Sequence, residues 1–244
     1  QNWIRETFDC PEIANDVFED VLLIEGLKMP NKTGGVNPGD QRSLYYFLRS
    51  LKPCAILEIG THVGSSTVAL ALAAARNKAD GVGTQIVTVD IRDVNDNCLK
   101  PWLEADSPAS PRALLTSLGL SHLVTFEVNT AVESLVSSVD HYDMIFLDGD
   151  HSSEAVYQEV PLSLKRLGAN GKGAIILHDY FPDLNPVWAG HPPLAGPFHA
   201  MERFLSEGAP LDVLPMGKLP WATKLDSNVS SLALLSRNVN EKTL

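Results

Sequence analysis

Five short apolar runs, separated by segments of helical periodicity, constrain the fold of this 244-residue chain more than any other feature. They cover residues 55–59, 85–90, 123–128, 143–148 and 173–178. Near-continuous apolar strands that alternate with helices indicate a parallel sheet with helices packed on both faces. We therefore predict an α/β fold, a three-layer sandwich around a mostly parallel sheet.

The pattern changes after residue 181. Residues 182–197 are rich in proline and show no periodicity, so they predict a long loop. A helical pattern at 198–206 follows, and then two strand patterns at 211–215 and 231–236. The segment between these two strands is too short and too broken by glycine and proline for a crossover helix, so the pair is predicted to be antiparallel. The sheet would then have seven strands with an antiparallel last strand, all within one domain.

Composition excludes several classes of partner. The chain has 19 Lys and Arg against 30 Asp and Glu, a net charge of −11, and no basic cluster, so nucleic acid is not an expected partner. Its longest apolar run, residues 68–75, is far shorter than a membrane span, so no membrane contact is expected. Cys10, Cys54 and Cys98 form no C-x-x-C pair, which argues against a disulfide framework and favours a cytoplasmic protein.

Polar residues follow every one of the five predicted parallel strands. In an open parallel sheet, ligands bind outside the carboxyl ends of the strands. Residues there are Glu58 to Ser66 after the first strand, Asp90 after the second, Asn129 and Thr130 after the third, Asp148 to His151 after the fourth, and His178 to Tyr180 after the fifth. This edge of the sheet is therefore the predicted site.

The loop after the first strand suggests a nucleoside-containing cofactor. Gly60 and Gly64 would allow a tight turn and a close approach to a ligand ahead of a helix N-terminus. The spacing is not that of a dinucleotide fingerprint, because His62 stands where a middle glycine would be, and no P-loop lysine follows. Asp90 lies at the tip of the next strand, where a carboxylate can bind a ribose diol.

Three segments carry a resemblance to a known family. Residues 57–67, Leu-Glu-Ile-Gly-Thr-His-Val-Gly-Ser-Ser-Thr, resemble the first motif of class I S-adenosylmethionine-dependent methyltransferases. Residues 147–152 and 176–180 resemble the branch with macrocin-type and catechol-type O-methyltransferases and cephalosporin-hydroxylase-like proteins. The resemblance covers residues 33–181. It implies a Rossmann-like sheet, S-adenosylmethionine as cofactor, and methyl transfer to a hydroxyl oxygen of a small molecule such as a natural product or sugar.

The resemblance also implies roles for individual residues. Glu58 would lie near the methionine ammonium, and Asp90 would bind the ribose. The other implied cofactor-binding residues are Gly60, Thr61, Gly64 and Ser65 around the methionine and ribose, Asn129 and Thr130 near the adenine, and Asp148. On this basis residues 1–52 are a helical segment with a cofactor-covering loop at 34–37, residues 53–181 are the cofactor-binding core, and residues 182–244 hold the acceptor loop and terminal strands. The 182–197 loop and the 94–111 insertion would form the acceptor wall. Trp102 and Trp188 would line it, and the alternative for either is a side chain that only fills the packing of its loop.

The same resemblance implies a divalent metal held by Asp148 and Asp179. Catechol-type members carry Asp-Asn at the fifth strand tip and macrocin-type members carry Asp-Asp, whereas this chain has His178-Asp179-Tyr180. One ligand would then be a histidine or a tyrosine. The resemblance favours Mg²⁺, which prefers oxygen ligands, whereas an imidazole ligand from His178 would favour Mn²⁺, Fe²⁺ or Zn²⁺. The alternative places His178 in the core or in a turn.

Methyl transfer to oxygen requires that the acceptor lose a proton. His151 and Asp150, just past Asp148, are the candidate bases, and the alternative for either is a cap of the following helix. Two other functions use the same strand tips: a nicotinamide-dependent oxidoreductase, and a non-catalytic binding protein on this fold. The sequence is compatible with a homo-oligomer.

Overall fold

A computed structural model describes residues 6–29, 35–138, 140–168, 173–182, 194–223 and 227–237. Within them, seven strands form one sheet in the order β3-β2-β1-β4-β5-β7-β6. The strands are β1 (Ala55–Ile59), β2 (Gln85–Asp90), β3 (Val124–Val128), β4 (Met144–Leu147), β5 (Ala174–Leu177), β6 (Leu211–Pro215) and β7 (Ala233–Arg237). The predicted strands are all present, with ends that differ by at most two residues.

The strand directions confirm the predicted mixed sheet. Strands β1 to β5 pair with one another in parallel. Strand β7 is antiparallel to both β5 and β6, so it is inserted between them and is the one reversed strand of the sheet. The last strand of the chain is therefore not the edge of the sheet, and β6 takes that place.

Helices cover both faces of the sheet, which confirms the three-layer sandwich. They are α1 (Pro11–Gly26), α2 (Pro38–Leu51), α3 (Ser65–Ala79), α4 (Pro111–Ser117), α5 (Ala131–Ser137), α6 (Ser153–Arg166) and α7 (Gly196–Ser206), with short 3₁₀ turns at Pro101–Ala105 and Ser121–Leu123. Helices α1 to α4 pack with Ile56 of β1 in one apolar cluster. Helices α5 to α7 pack with Leu57 on the opposite face. None of the described helices has the length and apolar character needed to cross a bilayer.

Proline and capping residues determine where α2 and α4, two helices near the site, begin. Proline at the first position suits α2 and α4, because its missing N–H would have no helical partner there. Asn37 and Ser110 cap these two helices by accepting a hydrogen bond from the backbone three residues on. Each cap fixes the residue at which its helix begins. The residues before the cap are then left to the loop that leads into the helix.

The buried Asp40 ties α2 to the entrance of β7. Its carboxylate accepts hydrogen bonds from the Ser230 hydroxyl at 2.6 Å and from the Ser231 hydroxyl at 2.7 Å. The Asn37 side chain and the Ser231 amide donate to it as well. A buried carboxylate needs such donors to offset its lost hydration. This contact holds the first turn of α2 against the segment that leads into β7.

Candidate active site

The tips of the five parallel strands lie side by side, as the sequence predicts. Backbone hydrogen bonds join them, in which Gly60, Asn129, Asp148 and His178 donate to Val89, Asp90, Ile59 and Leu147 respectively. The polar residues after these strands are therefore brought to one edge of the sheet, where ligands bind in open α/β folds.

The two loop glycines are required by the packing of the chain itself. Gly60 has a φ of 95°, and a Cβ there would lie 2.1 Å from the carbonyl oxygen of Asp148. Gly64 has a φ of 81°, and a Cβ there would lie 2.9 Å from the Cβ of Pro111. Both positions need the freedom of glycine without any ligand. The two glycines therefore do not by themselves indicate a cofactor, whereas the side chains around the loop do.

Glu58 is fully buried beneath the start of α3. Its Oε2 accepts hydrogen bonds of 2.6 Å from the hydroxyls of Thr67 and Thr88. Burial raises the pKa of this carboxyl to about 7, a rise that the hydroxyl donors Thr67 and Thr88 oppose. Its Oε1 has no hydrogen-bond partner in the described part of the chain. An unpaired buried carboxylate oxygen suits a cationic donor such as an ammonium group.

Asp90 is held at the tip of β2 by two backbone amides. The amide of His62 donates to Oδ2 at 2.8 Å, and the amide of Arg92 donates to Oδ1 at 3.2 Å. Thr61 lies behind this contact, with its hydroxyl 2.7 Å from that of Thr88. The carboxylate is thus fixed in position while its remaining lone pairs stay open to a diol.

Two residues at this edge were missed as site residues by the sequence analysis. His62 has a left-handed φ of 49°, which is uncommon for a residue other than glycine, and its buried Nδ1 has no partner in the described chain. Ile91 is 76% exposed although it is apolar. Ile91 directly follows Asp90, and its side chain is exposed. It therefore offers an apolar surface on which a flat base could pack. The signal for His62 was its place between the two glycines.

Asn129 and Thr130 at the third strand tip make local hydrogen bonds. The Thr130 hydroxyl accepts a hydrogen bond from the Glu133 amide and donates one to the Glu133 carboxylate. These two bonds form the N-terminal cap of α5. The Asn129 side chain accepts from the amide of Thr130. Both residues lie beside Asp90, but their side chains already serve the helix start, and contact with an adenine stays a prediction.

Asp148, His178 and Asp179 form a compact cluster across the tips of β4 and β5. One ligand atom from each lies within 4.8 Å of the other two. The Nδ1 atom of His178 is 2.5 Å from Asp148 Oδ1 and 3.6 Å from Asp179 Oδ2. His178 is 6% exposed, and its Nε2 has no partner in the described chain. The residue therefore faces the site through Nδ1, whereas Tyr180 packs in the apolar core on the α5–α7 face.

The charge balance of this cluster depends on His178. Burial lowers the pKa of the imidazole, but the carboxylates of Asp148 and Asp179 more than offset this effect and raise it to about 9. Without a metal, the imidazolium therefore supplies the positive charge between two carboxylates. A divalent cation would take the place of that proton, since a metal ligand must be deprotonated. One nitrogen and two carboxylate donors suit Mn²⁺, Fe²⁺ or Zn²⁺ better than Mg²⁺.

His151, rather than Asp150, faces the cluster. The Nε2 atom of His151 is 3.9 Å from Asp148 Oδ1 and 3.7 Å from Asp179 Oδ2, and its side chain is 31% exposed. Asp150 is exposed and accepts a hydrogen bond from the amide of Ser152. The cap of α6 is Ser152, which accepts from the Ala155 amide, so neither candidate base is needed as the cap.

The first residue of α7 packs against the turn that carries His151. A Cβ on Gly196 would lie 2.0 Å from the His151 carbonyl oxygen and 2.7 Å from the amide nitrogen of Ser153. The end of the proline-rich segment therefore packs directly on this turn. Of the two tryptophans predicted for the acceptor wall, Trp102 lies within the described residues. Trp102 is 8% exposed and mostly buried, and Trp188 lies outside the described residues with the rest of 183–193.

A cavity of about 360 Å³ adjoins the cofactor loop on the side of α1 and α2. Ser65, the first residue of α3, lines it directly after Gly64. Gly35 and Val36 of the predicted cofactor-covering loop line it as well, whereas residue 34 lies outside the described chain. This cavity is separate from the Asp148, His178 and Asp179 cluster.

Comparisons with known proteins agree with this architecture. The model of a family described as a methyltransferase domain matches residues 57–180, just over half of the 244 residues. No curated protein sequence gives a significant match.

Solved structures with the same fold include several methyltransferases. The O-methyltransferase TomG from Streptomyces achromogenes, in complex with SAM, is 17% identical with a TM-score of 0.59, covering 94% of this chain and 90% of its own. A putative O-methyltransferase from Klebsiella pneumoniae is 20% identical with a TM-score of 0.58, covering 98% and 96%. The O-methyltransferase from Bacillus cereus, in complex with SAH, is 17% identical with a TM-score of 0.57, covering 91% and 90%.

The family match covers the first strand, its glycine loop and the D-G-D-H and H-D-Y segments together. It gives no support for a nicotinamide-dependent oxidoreductase. The chain belongs to the methyltransferase-domain family and has the fold of the class I S-adenosylmethionine-dependent methyltransferases.

Proposed function

We propose that this protein transfers the methyl group of S-adenosylmethionine to a hydroxyl oxygen of a small molecule, with the help of a divalent cation. The observation that carries the proposal is the placement of His151 against the Asp148, His178 and Asp179 cluster, at the same sheet edge as Glu58 and Asp90. Two similar structures are described as O-methyltransferases with SAM or SAH bound, which supports the choice of reaction.

Three residues of the chain would hold the cofactor, which supplies an electrophilic methyl group on a sulfonium centre. The unpaired Oε1 of Glu58 suits the ammonium of its methionine part. Asp90, positioned by two amides, suits the ribose diol. The exposed Ile91 provides an apolar surface for the base. Together they would hold the cofactor in an extended position along the strand tips, so that transfer becomes a matter of alignment.

Asp148, His178 and Asp179 would hold the divalent cation, whose charge lowers the pKa of a bound hydroxyl. The cluster also selects the acceptor. An acceptor with a hydroxyl group that can reach the cation held by these three residues would be favoured over one without it, because polar groups left unpaired in the site are costly. A small acceptor with accessible hydroxyl groups fits this requirement.

His151 would accept the proton that the acceptor loses. Its Nε2 lies within 4 Å of both carboxylates of the cluster, and these would stabilise the imidazolium that forms. Since the side chain is 31% exposed, the proton can pass on to solvent. Asp150 is held in the turn by the amide of Ser152 and is less well placed for this role.

Calorimetric binding tests the proposal directly. The wild-type protein should bind S-adenosylhomocysteine at micromolar affinity or tighter, about −8 kcal/mol, and should not bind NAD comparably. Asp90→Ala should weaken that binding by roughly 1–3 kcal/mol, because the diol loses a charge-assisted partner. A folded wild-type protein that binds neither S-adenosylmethionine nor its product would overturn the proposal.

The metal and the acceptor are tested together by methyl transfer. Labelled S-adenosylmethionine would be incubated with catechols, sugars and phenolic natural products, with added Mn²⁺ or Mg²⁺ or with EDTA. Transfer to a hydroxyl compound that falls in EDTA and returns with added metal supports the proposal. Full transfer in excess EDTA would leave the three residues without a metal role.

A further inference from the structure

We propose that Arg42 binds the α-carboxylate of the cofactor's methionine, from the cavity between α1, α2 and the start of α3. This assignment rests on the proposed function, since it concerns the part of the cofactor that enters this cavity. It adds a cofactor-binding residue that lies outside the strand tips and outside the sequence motifs.

The cavity begins next to the end of the cofactor loop. Ser65 lines the cavity of about 360 Å³ and is joined directly to Gly64, the residue that ends the loop. Glu58, the proposed ammonium partner, reaches the first turn of the same helix through Thr67. The carboxylate of an amino acid is attached to the carbon that carries its ammonium group. It therefore has to be accommodated near the start of α3 as well.

Arg42 has no carboxylate partner among the described residues. Its side chain lines the cavity, and no hydrogen bond or ion pair of its guanidinium is found in the described chain. The Nε atom is buried and has no partner. The guanidinium lies 4.1 Å from the centroid of the Trp221 indole, and Trp221 is itself anchored by a hydrogen bond to the Gly39 carbonyl. An unpaired, partly buried and pre-positioned arginine is the group that an anionic ligand satisfies best.

The neighbouring arginines are already paired, so they do not compete for this role. Arg49 forms ion pairs with Asp16 and Asp80. Arg76 forms ion pairs with Glu19 and Asp20. These contacts also neutralise Asp20, the buried carboxylate that lines the cavity. The only acid at the cavity without such a partner is Glu25, which is exposed at the end of α1 among the described residues.

The start of α3 favours an anion at the same place. The N-cap of this 15-residue helix is Gly64, which has no side chain to bond the first amides. Open N–H groups at a helix N-terminus attract carboxylates. Arg42 and the open amides at the start of α3, where Ser65 lines the same cavity, therefore both favour a carboxylate there.

The binding of two ligands distinguishes a direct contact between Arg42 and the carboxylate from a purely structural role of Arg42. S-adenosylhomocysteine carries the amino-acid group, whereas 5′-methylthioadenosine keeps the nucleoside and the thioether without it. Arg42→Met keeps much of the contact with Trp221 and removes the charge. We expect this variant to bind S-adenosylhomocysteine roughly 10- to 100-fold more weakly by calorimetry, with affinity for 5′-methylthioadenosine within about twofold of wild type. Arg42→Lys should lie between the two.

The matched control is Arg203→Met, which removes an arginine stacked on Tyr157 at 3.8 Å on another helix. It should bind both ligands as the wild type does. Equal weakening of both ligands in Arg42→Met, or no weakening of either, would overturn the assignment. A wild-type protein that binds neither ligand would instead overturn the proposed function, and the assignment with it.

Discussion

Glu159 carries a buried carboxyl group on α6, the helix that begins just after the D-G-D-H turn, and its charge should lower the stability of the protein at neutral pH. The residue is 4% exposed, and burial together with the charge of Asp150 raises its pKa from 4.5 to about 7. One pKa unit corresponds to about 1.36 kcal/mol, so the shift corresponds to roughly 3 kcal/mol. Because the folded state holds the proton more tightly, stability falls as the pH rises from about 4.5 to about 7 and then levels off.

Replacing the group by a neutral isostere should remove this loss. Urea unfolding of wild type and Glu159→Gln should give free energies of unfolding that agree within about 1 kcal/mol at pH 5. At pH 8 the variant should be more stable by about 2–3 kcal/mol. Other titrating groups, such as Glu58 and His178, are present in both proteins and cancel in the comparison at each pH.

Glu154→Gln provides the control, because Glu154 is exposed on the first turn of the same helix. Its effect on the free energy of unfolding should be small and nearly the same at the two pH values. If Glu159→Gln also changes stability by the same amount at pH 5 and pH 8, the buried carboxyl is not the cause and the reasoning fails.

Three further predictions concern the site. His151→Ala should lower kcat by about 10²–10⁴-fold with cofactor affinity nearly unchanged, whereas Asp150→Ala should keep most activity; the reverse result would make Asp150 the base. Mn²⁺ should raise the Tm of the wild type and fail to raise that of His178→Ala, and an equal rise in both would exclude His178 as a ligand. His62→Gly should leave the free energy of unfolding within about 1 kcal/mol of wild type, because glycine accepts the left-handed φ of 49°, while weakening S-adenosylhomocysteine. Unchanged affinity would show that His62 has no part in cofactor binding.

The strands, the polar residues at their carboxyl ends and the acidic cluster could all be predicted from the sequence. Strands depend on local sequence patterns, and the meeting of their ends depends on the topology of a parallel sheet. An apolar run bounded by glycine or a polar residue determines a buried strand almost by itself. Once such strands are parallel, their carboxyl ends must meet, so Asp148 and Asp179 were placed together from their positions in the chain. The antiparallel β7 followed in the same way from a connection too short for a crossover.

Tertiary packing alone decided which side chains of those motifs are free for a ligand. Gly60 is required because the residue that follows β4 packs against it, and the Thr130 hydroxyl is used in the N-terminal cap of α5. Neither contact can be recognised from the sequence motif alone. Arg42 and Arg76 look alike in sequence, yet only Arg76 meets carboxylates in the described structure. The physical reason is that a motif specifies backbone and residue type. Burial and pairing depend instead on elements distant in sequence, and they determine which polar atoms are left to bind something else.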